Sequence, residues 1–207
     1  MHLPIEHERR YTIEEYLRLD EASDDKLEYH DGHIVALGEA IAMAGGSEMH
    51  ALISANFVRE LGNALKGKPC RVYSSDLRVR IQGTPLYVYP DVSVICGPTQ
   101  FDSEASPKSV LNPKLIVEVT SPGTEAYDRT EKFKKYLRVE SVDEYVMVSQ
   151  NMAWVDVYTR QADGVWLFQP VHGANAVVPL RSLGVTLPLS EIYAGVEFPP
   201  EPSPPAV

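Results

Sequence analysis

Apolar and polar positions along the chain repeat with periods that predict most of its elements. Thr12-Ile-Glu-Glu15 has the form of a capping box, and Tyr16, Leu17 and Leu19 give the next residues an apolar side, so a short helix is expected over 13–20. Lys26 to His30 and His33 to Leu37 flank Asp31-Gly32, the strongest short-range signal for a two-residue hairpin turn. After Gly45-Gly46-Ser47, the residues Ile53, Phe57, Leu61 and Leu65 recur at helical spacing and predict a longer helix over 48–65, with His50 one turn before Ile53 on the same inward face.

Lys66-Gly-Lys-Pro69 ends that helix. Residues 71–81 then read as a strand with Val79 and Ile81 on one side and Arg78 and Arg80 on the other, and 86–96 as a second strand pairing with it in an antiparallel hairpin. Pro90 lies inside the second run and removes a ladder donor, so a bulge or local edge is expected just before Asp91. Residues 97–112 read as a polar loop.

Leu115-Ile-Val-Glu-Val-Thr120 is rich in β-branched residues and ends at Ser-Pro-Gly, the pattern of a strand buried on both faces. Residues 128–138 read as a helix with Phe133, Tyr136 and Leu137 on its apolar face; at 100° per residue, Lys132 borders that face and Lys135 meets water. Strands are expected over 144–148 and 154–158, and a turn at Gln161-Ala-Asp-Gly164 leads to another at 165–169. A proline-rich tail, read as disordered, covers 197–207 and leaves 1–196 as a single domain.

Composition narrows the function classes. With 44% hydrophobic and 23% charged residues the chain is globular in type, no apolar run approaches the roughly 20 residues of a membrane helix, and the polar N-terminus has no secretory pattern, so a cytoplasmic protein without membrane contact is expected. A formal net charge of -10 weighs against tight non-specific nucleic-acid binding, although a locally basic cleft is compatible with it. Cys70 and Cys96 fit neither a disulfide framework nor a zinc site and read as small buried apolar residues.

One core position of the 115–120 strand is Glu118, and an ionised carboxylate inside a sheet costs several kcal/mol unless a cation, metal or hydrogen-bond donor meets it. If the strand carrying Asp91 lies beside it, the two carboxylates converge on one hard divalent cation. The structural alternatives are a turn aspartate next to Pro90 and an internal ion pair of Glu118 with Arg129 or Lys132. Lys132 could extend its ammonium to a nucleophilic water or a phosphate oxygen, or lie along the surface. Glu28, His50 and Asp76 are weaker candidates; Glu28 and His50 read more readily, and Asp76 at least as readily, as structural polar residues.

Pro90-Asp91, then Glu118 on an apolar strand, then a nearby basic residue, resembles the PD-(D/E)xK nuclease superfamily. The chain resembles in particular its Uma-type restriction-endonuclease-like family. The matching pieces are Tyr11-Thr-Ile-Glu-Glu-Tyr16, Lys26-Leu-Glu-Tyr-His-Asp-Gly32, His50, Tyr89-Pro-Asp-Val-Ser-Val94, Leu115-Ile-Val-Glu-Val-Thr-Ser-Pro122, Tyr127-Asp-Arg-Thr-Glu-Lys132 with Tyr136, Glu144-Tyr-Val-Met-Val148 and Leu187-Pro-Leu-Ser-Glu-Ile-Tyr193. The resemblance implies an α/β (α+β) fold, a mixed β-sheet flanked by helices with additional β-hairpins. It further implies Mg2+, with Mn2+ as a substitute, held by Asp91 and Glu118, and a DNA phosphodiester as substrate. Thr120 stands where the superfamily pattern has its lysine, and the resemblance transfers that role to Lys132. Glu28, His50, Asp76 and Arg129 would then surround the metal or contact the substrate, and a homodimer would suit cutting of both strands. The alternative is a catalytically inactive nuclease-like fold that binds nucleic acid or protein.

Overall fold

The computed structural model describes residues 5, 9–37, 48–102, 106–121, 130, 132–173 and 175–198, with only the backbone of 106 and 107. Helix α1 (Ile13–Ala22) starts as its capping box dictates: Thr12 Oγ1 accepts the Glu15 N–H at 3.2 Å, and Glu15 returns a carboxylate oxygen to the Thr12 N–H at 2.9 Å. Strands β1 (Leu27–His30) and β2 (His33–Ala36) form the expected hairpin, with Asp31 and Gly32 at φ 52° and 98°, both left-handed as a tight two-residue turn requires. Helix α2 (Glu48–Ala64) buries Ile53, Phe57 and Leu61 completely.

Between residues 70 and 110 the structure departs from the single long hairpin. Each expected strand is two: β3 (Cys70–Ser74) and β4 (Val79–Ile81), then β5 (Leu86–Val88) and β6 (Val92–Cys96). The antiparallel pairing holds, β3 with β6 and β4 with β5, but the two halves belong to different sheets. Pro90 supplies the reason on one strand, since it offers no donor and disfavours a continuous ladder. The chain therefore crosses from one sheet to the other at Tyr89-Pro90-Asp91. Arg78, expected on a polar side, is buried, where it pairs with Asp20 and donates to Ser109 Oγ at 2.8 Å. Cys70 and Cys96 face each other in the β3–β6 ladder and form a disulfide, correcting their reading as free apolar residues; 26 positions apart in sequence, they meet only through the strand register. The expected loop at 97–112 contains β7 (Phe101–Asp102) and β8 (Ser106–Val110), because its polar groups are satisfied inside the sheet, as when Arg80 pairs with buried Asp102 at 2.8 Å.

Strand β9 (Leu115–Thr120) is buried at every residue. Helix α3 (Phe133–Tyr136) is the described part of the helix expected over 128–138, much of whose first half lies outside the described residues. Beyond it come β10 (Glu144–Ser149), β11 (Trp154–Arg160), β12 (Trp166–His172), the hairpin β13 (Val177–Leu180) and β14 (Val185–Pro188), and the short helix α4 (Leu189–Ile192). Phe198, placed in the expected tail, packs on Tyr193 with ring centroids 5.3 Å apart; 199–207 lie outside the described residues.

The main sheet has the order β12-β11-β10-β9-β6-β3, with β9 and β10 parallel and the other neighbours antiparallel. One face, with Leu115, Val117 and Val119, packs on α2 and the β13–β14–α4 unit. The opposite face, with Ile116, Tyr145 and Met147, packs on Tyr136 and on Val79, Ile81 and Val88 of the second sheet, whose order is β2-β1-β5-β4-β8-β7. The fold is thus mixed α+β with two mixed sheets and flanking helices. Among the described residues no helix is long and apolar enough to cross a membrane.

Candidate active site

Side chains alternate along β9, so with Val117 and Val119 turned toward α2, Glu118 shares the opposite face with Ile116. It is 3% exposed. Among its described contacts, Lys132 Nζ at 3.0 Å and the Tyr136 hydroxyl at 3.1 Å, both on Oε1, offset the cost of burying its charge. Lys132 has helical φ and ψ of -66° and -45°, which brings it to the same side as Tyr136 four residues on. This turn is held down by rings, with Phe133 at 4.2 Å from Tyr158 and Tyr136 at 5.2 Å from Tyr145 between centroids. Burial, followed by the Glu118 charge, pushes the Tyr136 hydroxyl well above its usual pKa, so it remains a donor.

The β6–β9 register pairs Val92 with Val117, and one step further it sets Asp91 opposite Glu118. There the ladder has ended, and Asp91 substitutes for the missing main-chain acceptor: its Oδ2 accepts the Val119 N–H at 2.7 Å. His50 Nε2 lies 3.1 Å from the same oxygen, delivered from the first turn of α2 on the face that carries Ile53. Asp91 and Glu118 are therefore neighbours at the end of one pair of strands, oriented by elements on opposite sides of the sheet.

Glu28, on β1 of the second sheet, reaches the same region. Its Oε1 accepts the Tyr89 N–H at 2.9 Å, and its Oε2 is 2.9 Å from His30 Nε2. Burial raises its pKa, but the Lys132 charge, the hydrogen bond from His30 and the Tyr89 N–H together hold it below the usual carboxylate range. Lys135, expected in water, is half-buried, with Nζ 3.5 Å from His30 Nδ1. Asp76 joins none of these contacts: it is exposed in the turn after β3, pairing with Lys26 at 2.7 Å and accepting from Ser74 at 3.3 Å. Arg129 lies outside the described residues.

Sequence reasoning missed His30 and the hydroxyl of Tyr136. The signal for His30 was its position two residues after Glu28, hence on the same side of a strand. Tyr136 read only as an apolar ring, and nothing in a helical period reveals where a phenol oxygen ends. Thr120, at the position of the superfamily lysine, is buried with its hydroxyl 3.4 Å from the Val148 carbonyl, so the ammonium at this site comes from the helix.

Among the described residues no three His, Cys, Asp or Glu side chains gather as a ligand set. The two carboxylates at the end of β9 still fit one kind of ion. Mg2+ needs only one or two protein carboxylates, completing its shell with water and substrate phosphate, whereas structural zinc requires four nitrogen or sulfur ligands. Asp91 and Glu118 are the residues that would hold it.

The chain matches the Uma2 family, described as "Putative restriction endonuclease", over residues 13–190. The uncharacterized protein slr1290 of Synechocystis sp. is 36% identical over 189 residues, spanning 91% of this chain and 94% of that protein. A second uncharacterized protein of that organism, sll1609, is 31% identical over 167 residues, or 81% and 90% of the two chains. The fold is similar to the crystal structure of "a putative nuclease belonging to DUF820" from Anabaena variabilis, with a TM-score of 0.68 and 19% identity over 88% of this chain and 97% of that one.

Proposed function

As the chain belongs to the Uma2 family of restriction-endonuclease-like proteins, we propose that it is a Mg2+-dependent endonuclease that hydrolyses phosphodiester bonds of DNA. Asp91, Glu118 and Lys132 are the proposed catalytic residues. The observation that carries this reading is the ammonium of Lys132, 3.0 Å from a buried Glu118 whose next residue, Val119, donates its N–H to Asp91. A strand carboxylate with a cation on one oxygen and a second carboxylate beside it is a stable place to collect positive charge, which phosphoryl chemistry requires.

Bound by the two carboxylates, Mg2+ would supply polarisation of a phosphate oxygen and of the attacking water. The chain's own groups do the rest. Tyr136 and Lys132 orient Glu118; the Val119 N–H and His50 do the same for Asp91. Lys132 also holds a positive charge where negative charge develops on the phosphate. The preference for DNA over RNA is part of the proposal.

Cleavage of plasmid and single-stranded DNA with Mg2+ tests it, comparing the wild type with Glu118→Ala and Lys132→Ala. Glu118→Ala is expected to abolish cleavage, and Lys132→Ala to lower the rate by a factor on the order of 10² to 10⁴. Equal cleavage by all three preparations would identify a contaminant and overturn the assignment. A second reading, a nuclease-like fold that binds without turnover, draws on Thr120 in the lysine position and on the net charge of -10. Its signature is DNA or protein binding by a wild type that never cleaves.

A further inference from the structure

The contacts Lys135–His30–Glu28 have a direction, fixed by what each atom can give. An ammonium has hydrogens but no lone pair, so the 3.5 Å contact from Lys135 Nζ requires His30 Nδ1 to accept. The neutral ring then carries its hydrogen on Nε2, which donates to Glu28 Oε2 at 2.9 Å. A protonated ring would instead set an N–H against the Lys135 ammonium. Glu28 Oε1 accepts the Tyr89 N–H, so both oxygens of a carboxylate that is 4% exposed act as acceptors. Tyr89 lies two residues before Asp91, on the segment where the chain passes between sheets. The same carboxylate feels the Lys132 charge, and the Tyr136 hydroxyl that holds Glu118 feels Glu28 as well.

We propose that His30, as its neutral Nε2–H tautomer, is a positioning residue: by accepting from Lys135 and donating to Glu28 it fixes a carboxylate that braces both halves of the site. One brace is the hydrogen bond to Tyr89, which holds the approach to Asp91. The other is charge: Lys132 pairs with Glu118 and its charge also acts on Glu28, so a second buried carboxylate favours the ammonium at the site when a divalent cation competes for Glu118. His30 acts on the site through Glu28.

This inference rests on the nuclease reading, and its test separates the two. In metal-free full-length protein, 15N NMR of labelled histidine at neutral pH is expected to show His30 Nδ1 as the unprotonated nitrogen and Nε2 as the protonated one. Lys135→Met, which leaves the core in place, is expected to increase the other tautomer. A wild-type His30 found protonated, or carrying its hydrogen on Nδ1, would overturn the proposal whether or not the protein cleaves DNA. In kinetics, misplacement of the charged groups is expected to lower kcat of His30→Ala by about 10-fold to 10²-fold, with KM for DNA and Mn2+ affinity by EPR held within about twofold. His30→Gln, whose amide can donate to Glu28 in place of Nε2, is expected to recover most of the loss. Wild-type kcat in His30→Ala, no recovery in His30→Gln, or loss of Mn2+ affinity in step with kcat would each refute the positioning role. A wild type that does not cleave would sink the nuclease reading while the NMR result still decides the bonding.

Discussion

Two buried glutamates show how environment, not residue type, sets ionisation. Glu28 is held below the usual carboxylate range by Lys132, His30 and the Tyr89 N–H against the opposing effect of burial. Glu144 on β10 is pushed above it, because burial outweighs its bonds from Ser182 Oγ at 2.6 Å, the Arg181 N–H at 2.7 Å and Thr159 Oγ1 at 3.1 Å. The signs for stability are therefore opposite. A depressed carboxylate contributes stability that is present above its unfolded pKa and lost as pH falls through the folded one; a raised carboxylate contributes most below its unfolded pKa and loses it as pH rises. Urea unfolding across pH should accordingly find the difference between wild type and Glu28→Gln largest above the ordinary glutamate value of 4.5 and shrinking as pH falls below it. The difference for Glu144→Gln should move in the reverse direction. At this scale the sequence was informative about Glu118, since a glutamate among Val117, Val119 and Ile116 must find a partner. It said less about His30, because strand alternation names a face and not the atom that meets it.

Helix α2 illustrates an element whose pattern was fully legible. Its apolar spacing predicted Ile53, Phe57, Leu61 and Leu65 as the inward row, and they are 0–3% exposed against Val92, Val94, Leu115 and Val117. Phe57→Ala is expected to cost about 3–5 kcal/mol in urea unfolding, from lost transfer energy and the cavity left behind. The strands between 70 and 96 were legible only in part. Residue alternation sees the pleat of one strand but not a change of sheet, so two continuous runs stood for four strands. Pro90 marked the break correctly as an interruption, while the destination of the chain beyond it depended on pairing with β9, over 20 residues away in sequence.

For the whole molecule, the resemblance read on pieces from Tyr11 to Tyr193 agrees with the family match over 13–190. A mixed sheet with helices on its faces was therefore expressible before any coordinates. The Cys70–Cys96 bond was not, because composition counts cysteines without placing them. The bond joins β3, at one edge of the main sheet, to β6, the strand that follows Asp91. Closing a loop of this 26-residue separation corresponds to about 3–4 kcal/mol of chain entropy removed from the unfolded state. Guanidinium unfolding of Cys70→Ser/Cys96→Ser against the oxidised wild type is expected to show a loss of that size, and equal midpoints would mean that the bond leaves stability unchanged.

The crossing at Tyr89-Pro90-Asp91 has a consequence for how the protein would fail. Glu28 and His30 belong to one sheet, Glu118 to the other and Asp91 to the crossing itself, and the Tyr89 N–H on Glu28 and the charge of Lys132 are among the described links between them. The two sheets share an interior, Val79, Ile81 and Val88 packing against Ile116, Tyr145 and Met147, so a small slip of one leaf against the other would disturb that packing and the constellation together while both leaves keep their ladders. The proposed site is in this sense a vernier between two leaves of one chain: it registers their alignment, and sub-global opening along their seam would extinguish it.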